Sequence, residues 1–319
     1  MVQLGYALSS EEHTPRDLVR WAQRAEEVGF PFALISDHFH PWVDAQGHSP
    51  LVWSVLGGIA MCTDRLQIGT GVTAPIMRTH PVIIAQAAAT IAAMMPGRFF
   101  LGVGTGENLN EHILGEHWPP FDLRAEMLDE AVEVMRLMWE GGDQSFYGSY
   151  YTVENARLYT LPEEPIPVMV AAAGKKAAEL AGEIGDGLIN TSPDREVVEI
   201  FEQAGMGEAR PKYAQMTVCC GADEAQARKT AHQIWPIAGM KGELLQELPT
   251  PAHFEQAVQM VREEDVAESV ICGSDPQKHL AMIQQYIDAG YDHIYVHQVG
   301  ADQEAFFSLY QQHILPKFQ

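Results

Sequence analysis

Short apolar runs alternate with amphipathic stretches along the whole chain. The runs near residues 3, 32, 66, 99, 167, 187, 213 and 293 are too short and too rich in branched and aromatic residues for helices, and they predict eight buried strands. The intervening stretches carry helix punctuation. Thr14-Pro15-Arg16-Asp17 supplies an N-cap, a proline in the first turn and an acid at the positive end of the dipole, and that helix ends at Gly29. Further helices are predicted from Leu56 to Met61, over 82–95, and over 123–139, the last with an apolar stripe of Leu128, Val132, Met135 and Trp139 that marks core or dimer contact. The junctions EEVGFPFALIS, GEIGDGLINTS and DAGYDHIYVH each place glycine where a helix must stop. Strands alternating with helices imply parallel pairing, and eight of them imply a closed (β/α)8 TIM barrel as one domain over residues 1–319. Between the last two strands lies an overlong segment, 223–273, with Pro236, Pro249 and Pro251. It is expected to be a helical insertion over the C-terminal face.

Composition narrows the partners. Of 319 residues 46% are hydrophobic, enough for a large core. The formal charge of −23, from 43 acids against 20 bases, disfavours nucleic acid and anionic membrane surfaces. Cys62, Cys219, Cys220 and Cys272 show no C-x-x-C spacing, and the adjacent pair on one strand is expected to face opposite ways. Reduced thiols, together with the lack of a signal-peptide pattern or a long apolar run, give the expectation of a soluble cytoplasmic protein.

Barrel sites gather at the C-terminal strand ends. Those ends supply Asp37, His38 and Trp42 after the second strand, Gly69 to Val72 after the third, and Gly104, Thr105, Gly106, Glu107 and Asn110 after the fourth. The fifth supplies Ala172, Ala173, Gly174, Lys175 and Lys176, and the eighth His297. The glycines admit a flat ligand against bare backbone, and amides at a helix start receive phosphate. GVGTGE has G-x-G-x-G spacing and does not fit the dinucleotide fingerprint. His293 and His297 share a strand face and are expected to line or cap the barrel.

The motifs SDHFHPW, QGHSP, IGTGV, PGRFFLGVGTGENLNE and AAAGKKAAELAG resemble the luciferase-like flavin and deazaflavin barrels. Within them the chain is most similar to the group of glucose-6-phosphate dehydrogenases dependent on coenzyme F420. The resemblance implies a homodimer, a 5-deazaflavin in the barrel mouth, and a cis peptide bond at Gly71-Val72. It further implies that a hydroxyl-bearing carbon gives hydride to C5 of the cofactor, with His38 as candidate base, Glu107 managing charge at the ring and Trp42 packing beside the reacting carbon. Asp37, Gly71, Val72, Gly104, Thr105, Gly106, Asn110, Ala172, Ala173, Gly174 and Lys175 match positions that hold the cofactor.

The substrate end departs from that group. Where the sugar-phosphate enzymes place basic side chains, this chain reads Asp194, an uncharged or acidic run at Leu244 to Glu247, and Ser269. Each lost charge-assisted bond to phosphate costs about 1.5–3 kcal/mol. FHPW and PIMR also resemble secondary-alcohol dehydrogenases of the family. A neutral alcohol, an unphosphorylated sugar or a hydroxylated lipid is therefore expected. The alternatives are a sugar-6-phosphate dehydrogenase, an FMN-dependent monooxygenase, a non-catalytic deazaflavin carrier, and a metal-dependent hydrolase built on the H-x-H of His38 and His40.

Overall fold

A computed structural model describes residues 2–207 and 209–318. In chain order the elements are β1 (Gln3–Leu8), α1 (Pro15–Val28), β2 (Phe32–Ile35), α2 (Val52–Cys62), β3 (Gln67–Thr70), α3 (Pro81–Met94) and β4 (Phe99–Val103). Next come α4 (Asn108–Glu111), α5 (Phe121–Trp139), the hairpin β5 (Gln144–Tyr147) and β6 (Thr152–Ala156), β7 (Val168–Ala171), α6 (Lys175–Ile184), β8 (Gly187–Asn190), α7 (Arg195–Ala204) and β9 (Lys212–Cys219). The last part holds α8 (Glu224–Ile234), α9 (Leu244–Glu247), α10 (Pro251–Ala257), α11 (Glu263–Ala267), β10 (Ile271–Cys272), α12 (Pro276–Ala289), β11 (His293–Gln298) and α13 (Gln303–Leu309).

Strands β1, β2, β3, β4, β7, β8, β9 and β11 pair in parallel and close on themselves through β9–β8 and β11–β1, so the predicted (β/α)8 barrel is present. The two short strands β5 and β6 form a separate antiparallel hairpin that the sequence reading did not anticipate, and β10 adds to the outer edge of β9.

Local chemistry explains the element ends. Thr14 accepts the amide of Asp17, and Gly29 closes α1 at φ 105°. The helix expected from Leu56 starts earlier, at Val52, without a side-chain cap. Inside the barrel, Phe32, Phe100, Met169, Tyr213 and Tyr295 fill the axis. The fit depends on small neighbours: a Cβ at Gly69 would sit 2.1 Å from the Phe100 ring. Cys219 and Cys220 do face different clusters, as period-two geometry requires. Leu128, Val132 and Met135 of α5 are core residues, and the Trp139 indole donates to the Ala85 carbonyl.

The overlong segment is helical and roofs the mouth. Ile237 and Phe254 pack with Trp42, Val43 and Leu109, flanked by Met240, Leu245 and Leu248. The Trp42 and Phe254 rings meet edge to face at 5.1 Å.

Candidate active site

The short β2 delivers Asp37 and His38 to the mouth, and neighbouring loops then fix them. Asp37 is buried, its carboxylate accepting Thr73 Oγ1 at 2.8 Å and Arg78 at 3.0 Å. Asn110 Oδ1 accepts the amides of Phe39 and His40, and Ser49 donates to the carbonyl of His38 at 2.7 Å. These contacts hold the turn that presents the imidazole.

His38 lies between two carboxylates. Its Nδ1 is 3.4 Å from Glu11 Oε1 and its Nε2 is 3.4 Å from Glu107 Oε2. The Trp42 ring stands against it at 5.1 Å, with an interplanar angle of 63°. Burial pulls the imidazole down, but Glu11, Glu107 and Asp37 together outweigh burial and Arg78, so its pKa is raised. Burial raises the Glu107 carboxyl above the ordinary range, opposed by His38. A raised acid beside a raised base brings the proton affinities of the two groups closer together and suits proton exchange between them. Further out, burial pushes Glu111 up to about 7 against the pull of Arg78, which bridges it to Asp37.

The opposite flank differs in kind. Gly71 and Val72 are joined by a cis peptide bond, as expected, and Val72 packs with Ala171 on the inner cluster. At Gly104 a Cβ would meet Val72 Cγ2 at 2.9 Å, so this close approach favours glycine. Thr105 and Gly106 are partly exposed and lead to Glu107. Ala172 is buried, with its amide bonded to Ile189, while Ala173 is exposed. Gly174 caps α6 with extended backbone, no side chain accepts from the helix's first amides, and a Cβ there would meet nothing within 4 Å.

Asp37 and Asn110, matched to cofactor contacts, have their polar atoms engaged inside the protein; the second Asn110 group donates to Glu107 at 3.1 Å. Lys175 pairs with Glu196 at 2.6 Å on the surface instead of standing free over the glycine turn. Of the H-x-H pair, His38 turns to the carboxylates while His40 Nδ1 meets the Leu109 carbonyl, and no cluster of three metal-ligating side chains occurs among the described residues. His293 and His297 do line the barrel, the first against Tyr213 and the second against Glu12.

Sequence reasoning missed Glu11, Arg78 and Glu111. Glu11 had a usable signal, because SSEE directly follows β1 and therefore lies at the mouth by the barrel rule.

A parallel barrel carrying an imidazole between two carboxylates beneath an apolar roof has the form of a barrel enzyme, with titratable side chains at the strand ends where such enzymes hold their sites. The chain belongs to the luciferase-like monooxygenase family, whose pattern matches residues 2–293. It is 36% identical to an F420-dependent glucose-6-phosphate dehydrogenase of Amycolatopsis mediterranei (strain U-32), covering 100% of this chain and 99% of that one. It is 37% identical to F420-dependent glucose-6-phosphate dehydrogenase 2 of Rhodococcus jostii (strain RHA1), covering 100% and 98%. Among solved structures, an F420-dependent secondary alcohol dehydrogenase in complex with an F420-acetone adduct superposes with a TM-score of 0.92 at 30% identity, over 98% of each chain.

Proposed function

We propose that this protein is a coenzyme F420-dependent dehydrogenase acting on an unphosphorylated alcohol or sugar, with His38 as base. The observation that carries the reading is His38 held between Glu11 and Glu107, under a roof made of apolar side chains. The bound deazaflavin supplies a hydride acceptor at its C5 carbon. The residues present fit such a group: a Cβ at Gly174 would meet nothing within 4 Å, so the backbone there stands open to a ligand, and the uncapped start of α6 suits an anionic tail. Gly71, Val72, Gly104, Thr105 and Gly106 would border the ring, and Ala172, Ala173, Gly174 and Lys175 the tail. His38 takes the one proton that the hydroxyl gives up, and Glu107, whose raised carboxyl favours its protonated form, would give its own proton to offset the negative charge that hydride transfer leaves on the acceptor. Asp37 and Asn110 act by fixing the His38 turn.

Charge argues against a phosphate on the substrate. Arg78 is engaged by Asp37 and Glu111, Lys176 by Asp122, and Arg195 donates to the Asp288 carbonyl. Asp194 caps α7 with its own carboxylate. The relatives named as glucose-6-phosphate dehydrogenases keep the sugar phosphate as the second reading. The test is titration with F420 and, separately, FMN, followed by bleaching of the oxidised deazaflavin with neutral alcohols, glucose and glucose 6-phosphate. Bleaching by a neutral alcohol is expected; bleaching by glucose 6-phosphate alone would select the second reading, and FMN-supported oxygen uptake would select a monooxygenase.

The partner is a second copy of the chain. Helices α2 and α3 contain no charged residue, and Met61, Ile83 and Met94 are exposed along them. A helix apolar all round is a buried helix, so this face suits a subunit contact. Ile83→Lys should convert a dimer to a monomer by light scattering; an unchanged mass would place the contact elsewhere. The free thiols of Cys62, Cys219, Cys220 and Cys272 suit the cytoplasm, and the shared core suits a single domain. No described helix is long and apolar enough to cross a membrane.

A further inference from the structure

The loop leaving β1 carries two adjacent carboxylates that meet different histidines. Glu11 faces His38, as described. Glu12 Oε1 lies 2.6 Å from His297 Nε2, and its Oε2 accepts the Gly300 amide at 2.8 Å. This second pair is sealed, with side-chain exposures of 2% for His297 and 3% for Glu12. Trp235, at the entry to the roof segment, covers the His297 ring edge to face at 4.3 Å. His297 Nδ1 is buried with no hydrogen-bond partner among the described residues. A buried acid–imidazole pair with an orphaned nitrogen is a poor source of stability compared with apolar packing, which turns attention to what it positions.

The loop is tied on both sides of β1. Toward β2, Ser10 bonds the backbone and hydroxyl of Ser36, and the Glu11 carboxylate accepts Ser9 Oγ at 2.9 Å and Ser36 Oγ at 2.8 Å. Toward β11, the ties are those of Glu12 to His297 and Gly300. We propose that the Glu12–His297 pair is a positioning element for the His38 site, anchoring the β11 side of this loop so that the neighbouring Glu11 stays against His38. The inference rests on the reading of His38 as the base. The charges facing His38 are Glu11 from the β1 loop, Glu107 from the loop after β4, Arg78 from the loop after β3, and Asp37 beside it. Those facing Glu12 are His297 from β11 and His13 from its own loop. Among the described residues Glu12 makes no hydrogen bond or ion pair with His38, and its influence there passes through the placement of Glu11.

The test measures the His38 titration midpoint by NMR of 15N-histidine-labelled protein without cofactor, alongside steady-state kinetics. Glu11→Gln serves as reference and lowers the midpoint. Glu12→Ala is expected to lower it by about half as much or more, with kcat down about tenfold and KM within about twofold. Glu12→Gln, which preserves hydrogen bonding to Gly300 and His297, should keep the wild-type midpoint. His297→Leu reports the same loss of anchor should Glu12→Ala not fold. A His38 midpoint unmoved in either anchor variant, with only the melting temperature lowered, overturns the proposal; so does a Glu12→Gln shift as large as that of Glu12→Ala, which would mean a direct charge effect. If the wild-type protein reduces no deazaflavin with any alcohol, the proposed function fails while the NMR comparison still decides the anchoring role.

Discussion

The two flanks of the barrel mouth are built on opposite principles. On the β2 and β4 flank, buried carboxylates, an imidazole and a guanidinium engage one another, and His38, Glu107 and Glu111 all have shifted proton affinities. On the β7 flank the chain is bare, ending in exposed Ala173 and Gly174 and an uncapped helix. The first flank has fixed charges placed before any substrate arrives, which suits chemistry; the second offers backbone amides and open space, which suits grip. Substitutions on the first should therefore change turnover, and those on the second affinity.

The sharpest break is His38→Ala, expected to lower kcat by about 10²- to 10⁴-fold while the deazaflavin dissociation constant, measured by fluorescence quenching, moves little. Retention of full hydride transfer would remove His38 from the mechanism. Next, Gly174→Asp should place a carboxylate at the uncapped start of α6 and weaken cofactor binding about three- to tenfold with kcat preserved. Equal losses in kcat would erase the distinction between flanks. The smallest effect is a displacement in pH. As a base His38 works when neutral, so alcohol oxidation should rise with pH through its elevated pKa. Glu11→Gln removes a charge that raises that pKa, and the rising limb of kcat/KM should move to lower pH. By linkage, the stability that His38 contributes is fully present below its unfolded value and is lost as pH rises through the folded one. In Glu11→Gln the loss should start at the same unfolded value, but be smaller and complete at lower pH.

What the sequence disclosed was local. Thr14 and Gly29 punctuate α1 by chemistry confined to one turn, and the eight core strands announce themselves as apolar runs. Asp37 and His38 stood out because they end such a run abruptly. What stayed hidden depends on loops meeting across the barrel. Glu11 and Ser36 are 25 positions apart, and Arg78 and Glu111 33, so neither spacing carries a signal. Asp37 and Asn110 were placed at the mouth correctly, but a sequence cannot show that their polar atoms turn inward. The β5–β6 hairpin escaped because its residues are largely exposed and give no apolar run.

The closure of β1 on β11 also has a temporal meaning. Residues Gln3 to Tyr6 pair with His293 to Val296, so a chain emerging from the ribosome leaves β1 with one unpaired edge until β11 has been made. The contact between Glu12 and His297 spans 285 positions, among the longest loop closures available to this chain. The loop after β1 is thus secured by a strand made much later, and a nascent chain interrupted between Glu111 and β11 carries every residue of the His38 cluster without the barrel closure that frames it.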